Sequence, residues 1–326
     1  MPEKTKSGAI RLAAKPGQIA LAFAAVYVLW GSTYLGIRVG VETIPPFLLA
    51  GVRHLTAGTL LYVVLRARGA QRPTLRHWRS AAVIGGLMLV GGNGLVTWAE
   101  KSVPSGLAAL IVASVPIWMT VLDGLQHRRR PHGVVLAGLA MGMLGIGLLV
   151  APGSLGGSSH VNPIGAVALL SASLFWAIGS LHSRRASLPS SVFLATAIEM
   201  IAGGALLLLT SAATREWAGF SLSAVSLRSV LALGYLIVAG SLLGFTAYVF
   251  LLAATTPARV STYAYVNPVV AVFLGWALLS EPISLRMAVA AVIIVAAVAL
   301  IIRHGARRVA PVEENLAPLR AQGGRR

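Results

Sequence analysis

The 326-residue chain contains no cysteine. Disulfides, thiolate metal sites and a cysteine nucleophile are excluded. Acidic residues are scarce, nine against 27 lysines and arginines, and charged residues of all kinds make up only 11%. No Walker-type G-x-x-x-x-G-K-[ST] segment occurs, so direct ATP drive within this chain is unsupported, and no H-E-x-x-H pair suggests a zinc-protease helix. No histidine is paired with an aspartate inside an apolar run. No cleavage site follows the first apolar run, which is too long for a signal-peptide h-region and reads as a span.

What fills the chain instead is apolar: 56% hydrophobic residues and a mean hydropathy of +0.80. Ten runs stand apart, separated by short polar loops: Ile19–Ile37, Pro46–Leu65, Ser80–Ala99, Gly106–Leu122, Gly133–Val150, Pro163–Leu181, Ser191–Ala213, Val230–Ala254, Val260–Ser280 and Leu285–Ile302. At 1.5 Å per residue, about 20 apolar residues cross a ~30 Å hydrocarbon core. Inside lipid each backbone polar group must be bonded within its own segment, so helices are expected. The fold class read here is an all-α integral membrane protein of ten transmembrane helices, with polar tails at 1–18 and 304–326. The 35 glycines suit close helix contacts.

The net charge of +18 suggests nucleic acid until the charges are placed. With the N-terminus inside, 21 basic residues fall in inner segments: Lys4, Lys6, Arg11, Lys15, Arg66, Arg68, Arg72, Arg76, Arg79, Arg128, Arg129, Arg130, Arg184, Arg185, Arg259 and six in the tail. Five fall outside: Arg38, Lys101, Arg215, Arg228 and Arg286. This positive-inside pattern predicts both termini in the cytoplasm of a bacterial inner membrane. The basic loops are then expected to meet membrane lipids rather than nucleic acid.

The chain repeats itself at a spacing near 150 residues. Trp30 in "YVLWGSTYLG" answers Trp176 in "LLSASLFWAIGS". Ala57-Gly58 answers Ala202-Gly203, and Pro116 answers Pro268. Repeats over 19–150 and 163–303, joined by an outside linker at 151–162, hold five spans each. An odd number inverts the second repeat against the first. That is the plan of alternating-access carriers, with the site near the midplane between halves.

Ionisable residues inside spans are functional candidates by default. Arg53 lies about 10 Å deep from the outer side. Its planar fork suits a substrate carboxylate. Glu199, on the matching helix of the second repeat, is expected to bind an amine or a coupling proton, since a desolvated carboxyl is readily neutralised. Asp123 reads as an interfacial partner of the basic loop, and His54 as a packing residue. Tyr263 and Asn267 share a face at i, i+4; Trp30, Thr33, Asn93 and Trp176 complete the expected substrate-binding set. Pro116 and Pro268 are the expected hinges, because proline frees a carbonyl of its helix.

With these residues in view, the chain resembles the EamA-type carriers of the drug/metabolite transporter superfamily. The likeness covers about residues 20–302 and is carried by "WGSTYLGIRVGVETIPP", "AGVRHLTAG", "NGLVTWAEKSVPSGLAALIVASVP" and "TYAYVNPVVAVFLG". The arginine of span 2 and the prolines of spans 4 and 9 match Arg53, Pro116 and Pro268. The glutamate that closes span 9 matches Glu281, but the first repeat has "HRRRP" in its place, and Glu281 is left out of the expected site. The resemblance implies a secondary exporter of small metabolites such as amino acids, or of drugs, with no cofactor and with a homodimer as a candidate assembly. A channel, a non-transporting scaffold and an intramembrane enzyme are the alternatives.

Overall fold

A computed structural model describes residues 15–126, 133–150, 162–183, 185–255 and 262–306. Regular structure among them is entirely helical. Ten helical stretches follow one another: α1 (Pro16–Gly40), α2 (Pro46–Ala67), α3 (Leu75–Ala99), α4 (Ser105–Gln126), α5 (Gly133–Val150), α6 (Pro163–Ser183), α7 (Val192–Ala213), α8 (227–254), α9 (Tyr263–Leu279) and α10 (Leu285–Ala306). Seven of them are long and apolar enough to cross a membrane, while α5, α9 and α10 carry shorter apolar stretches. Large apolar side chains such as Leu21, Leu144 and Val292 face outward. A soluble protein would bury them, so the chain is a multi-pass membrane protein.

Helix starts follow the sequence. Pro46 sits in the first turn of α2, where its missing N–H costs nothing. Ser226 caps α8 by accepting from Ser229 N at 3.1 Å, and Asn162 caps α6 by accepting from Ile164 N at 3.0 Å. Three helices widen into π-turns, at Val26–Trp30 in α1, Gly86–Gly94 in α3 and Leu236–Leu243 in α8. Helix α4 breaks at Ala113 and Ser114, just before Pro116, and α9 carries Pro268 in its interior.

Packing follows a two-fold scheme. Helices α2 and α7, α4 and α9, and α5 and α10 pack as pairs; the contact of α3 with α6 recurs as α8 with α1, and that of α4 with α6 as α9 with α1. The α2–α7 contact is the most extensive and is made through glycine. A Cβ on Gly204 would stand 2.5 Å from Leu55 N, and one on Gly58 would stand 2.8 Å from Ile201 N. Backbone cannot yield as a side chain can. Gly204→Ala is therefore expected to destabilise by about 1–3 kcal/mol. Gly234→Ala on α8, whose Cβ meets nothing within 4 Å, is expected to be neutral or to gain up to about 1 kcal/mol. Thermal unfolding of the two purified variants in detergent checks the contrast.

Candidate functional site

A cavity of about 140 Å³ lies at the meeting of α1, α2, α3, α4, α6, α8 and α9. The widened and broken turns supply much of its wall: Trp30 and Asn93 come from π-turns, Ala113 from the break in α4, and Pro268 from α9. A π-turn leaves a bulge and irregular bonding, which is why such turns gather at sites. Pro268 has no N–H to give, so the Ala264 carbonyl is relieved of its partner beside the cavity.

Arg53 enters from α2 and is 5% exposed. Its Nε donates to Ser241 Oγ on α8 at 3.0 Å, and its Nη1 is buried without a partner. Gly240 makes room for it, since a Cβ there would stand 3.1 Å from Arg53 Nη2 and 2.8 Å from Thr33 Cγ2. His54 borders the same space; its Nε2 lies 3.0 Å from Asn93 Oδ1 and its Nδ1 is unpaired. Asn267 Oδ1 is likewise buried and unpaired. A buried polar group without a partner costs free energy, more when charged. Three such groups on residues around one cavity make it the candidate site.

Aromatic rings form another part of the wall, among aliphatic side chains such as Ile37, Leu89 and Val96. Trp30 packs on Phe245 (5.4 Å between ring centres), Tyr248 (4.9 Å) and Tyr263 (5.3 Å), and its Nε1 donates to the Gly240 carbonyl at 3.1 Å. Trp176 packs over Gly92 of α3, where a Cβ would stand 3.0 Å from its ring, much as Trp30 packs over Gly244 of α8.

Of the residues singled out in the sequence, Trp30, Thr33, Arg53, Asn93, Trp176, Tyr263, Asn267 and Pro268 border the cavity, and so does His54. Thr33 gives its hydroxyl to the Trp30 carbonyl at 2.6 Å. Pro116 stands just beyond the wall residue Val115. Glu199 does not border the cavity; it is half-buried on α7, with its carbonyl near Gly85 of α3, and forms no ion pair with Arg53. Asp123 falls on α4, and its side chain is outside the described residues, as is the linker at 151–161.

Three carboxyls outside the expected site lie at the end of the bundle away from the chain's termini; Glu281 is named from the sequence and set aside, while Glu216 and Glu100 are not singled out there. At the end of α7, Arg215 takes a left-handed conformation (φ 57°) and Glu216 N–H closes on the Ser211 carbonyl at 3.0 Å. The Glu216 carboxylate then accepts from Phe47 N (3.2 Å) and Leu48 N (3.0 Å), the first amides of α2. At the end of α9, Ser280 repeats the turn (φ 54°), and Glu281 accepts from Ser105 N (2.8 Å), Ser105 Oγ (3.0 Å) and Gly106 N (3.2 Å), at the start of α4. Both are anion-on-helix-start contacts, and both tie one repeat to the other. The third carboxyl, Glu100, follows α3 directly and is fully buried; its carbonyl accepts from Arg38 Nη1.

Comparison with known proteins places the chain. The model of the EamA-like transporter family matches it twice, over residues 17–151 and 163–303. The uncharacterised inner membrane transporter YedA of Escherichia coli (strain K12) is 44% identical over 282 residues, 85% of this chain and 88% of that protein. A probable amino-acid metabolite efflux pump of the same organism is 29% identical over 82% of this chain and 88% of its own. A crystal structure shares the fold at a TM-score of 0.59 and 20% identity, covering 88% of this chain and 98% of that one. The chain belongs to the EamA-like transporter family and is a transporter.

Proposed function

From that membership as premise, we propose that the protein is a secondary active carrier that exports amino acids or similarly small metabolites across the inner membrane by alternating access. In this reading the ten helical stretches all span, as two inverted five-helix repeats, with both termini cytoplasmic. The exchange symmetry of the helix packing and the double family match support the repeats. The distribution of arginine and lysine supports the orientation.

The observation that carries the substrate reading is the unpaired Arg53 Nη1 together with the unpaired acceptor Asn267 Oδ1, both on residues that line the one cavity. An amino acid satisfies both at once. Its carboxylate takes the guanidinium, and its ammonium takes the amide oxygen and the aromatic faces of Trp30 and Tyr263. Size agrees. An engineered cavity of roughly 150 Å³ holds benzene, whereas drug-sized ligands occupy about 300–1,000 Å³. Small metabolites are therefore favoured over bulky drugs. The name of the efflux-pump relative points the same way.

Purified protein in liposomes tests this. Saturable counterflow of a labelled amino acid is expected. Unsaturable flux would make it a channel, and an absence of flux across the amino acids, nucleosides and organic cations would remove the proposal.

A further inference from the structure

Glu100 is buried, and both its carboxyl oxygens lack a hydrogen-bond partner. It is the first residue past α3, at the end of the bundle closed by Glu216 and Glu281. An ionised carboxylate so placed has lost its water without a hydrogen bond in return, a cost a bound proton removes. The charged and titratable groups about it are Arg53 from α2, Arg38 and Tyr34 from α1, and Glu281 after α9. Lys101 beside it is exposed, α4's first turns carry none, and His182 on α6 lies at the opposite end. Arg38 spends a donor on the Glu100 carbonyl rather than on the carboxyl.

We infer that Glu100 is the proton-binding residue of the outer gate, taking up one proton from solution when this end of the bundle closes and returning it when the end opens to water. The inference rests on the alternating-access reading above. Closing moves the carboxyl from water, where its charge is hydrated, into an apolar seat, and the O–H bond forms on the same step. Burial is the main cause, and the charge of Glu281 adds to it; together they hold the Glu100 carboxyl well above the usual carboxylate range, against the weaker pull of Arg38 and Arg53. The sign follows by linkage. The closed state binds the proton more tightly than the open state, so acid favours closure. Between the two proton affinities, each pH unit of rise shifts the balance toward the open state by up to about tenfold.

The natural absence of cysteine makes the test direct. Ala113→Cys places one thiol on the cavity wall, and Ser223→Cys places a reference thiol on the exposed loop after α7. A membrane-impermeant maleimide is added to intact cells at pH 6 and pH 8, and the Ala113→Cys rate is divided by the Ser223→Cys rate. With Glu100 present, the ratio is expected to rise about tenfold or more toward pH 8. With Glu100→Gln it is expected to stay low and flat. With Glu100→Asp, which keeps a carboxyl, it is expected to rise again. A flat ratio with Glu100 present, or with Glu100→Asp, overturns the inference, as does a full rise with Glu100→Gln. If Glu100→Gln does not reach the membrane, the other two backgrounds decide. The readout needs no substrate, so failure of amino acid counterflow and failure of the proton site are seen separately. Labelling of the reference thiol reports the orientation on its own.

Discussion

Arg53→Lys is expected to lower amino acid counterflow by about 10–100-fold while expression and unfolding temperature stay close to those of the parent. Lysine keeps the charge but loses the fork. Arg53 Nε is committed to Ser241 Oγ at 3.0 Å, which leaves the outer edge of the guanidinium toward the cavity. A lysine ammonium must choose between the serine and the substrate carboxylate. One lost charge-assisted hydrogen bond is worth about 1.5–3 kcal/mol, and 1.4 kcal/mol is tenfold. Arg53→Gln loses the charge as well and is expected to fall further. Gly240→Ala should impair transport without touching Arg53's chemistry, because the new Cβ crowds both Arg53 Nη2 and Thr33 Cγ2. Initial rates of counterflow measure all three. Equal rates for the lysine and glutamine variants would make Arg53 an anchor for α8 and no more.

How much of this was legible beforehand depends on whether a residue's role is set locally. Spans are local facts of length and composition, and the helix stretches begin and end within a few residues of the apolar runs. Trp30, Arg53, Tyr263 and Asn267 stand out in the sequence because each is a polar or aromatic break in an apolar stretch, and all four border the cavity. Glu199 meets the same criterion and does not, because periodicity cannot say which face of α7 turns toward α3 and which toward the site. The π-turns have no sequence signature, so the widened places that shape the cavity were invisible. Glu100 falls just past the apolar run Ser80–Ala99 and beside Lys101, so nothing local marks it as buried. Its burial is decided by helices distant in the chain. Glu281 was left aside for want of a counterpart in the first repeat. That missing counterpart is informative.

Among the described residues, the turns after α7 and after α2 are equivalent but not equally fastened. After α7 the left-handed residue is Arg215 and the next is Glu216; after α2 it is Gly69 (φ 87°) and the next is Ala70, whose N–H closes on the Leu65 carbonyl at 3.0 Å. The first repeat thus makes the turn without the carboxylate that would reach a neighbouring helix start. Glu281 is the stronger of the two fasteners present, with three accepted bonds against two for Glu216. It is also seated against Gly275, where a Cβ would stand 2.4 Å from Glu281 Oε2. Glu281→Ala leaves the amides of Ser105 and Gly106 without their anion, at a cost of about 2–4 kcal/mol to the closed far end. Even 2 kcal/mol moves a two-state balance about 30-fold. The expected result is that the Ala113→Cys thiol labels from outside fast and at every pH, as though the far end stood open. Gly275→Ala should do the same in weaker form by pushing the carboxylate off its seat with Glu281 itself intact. If both variants label as slowly as the parent, the contact of α9 with α4 holds the far end shut through packing, and the carboxylate serves only to cap a helix.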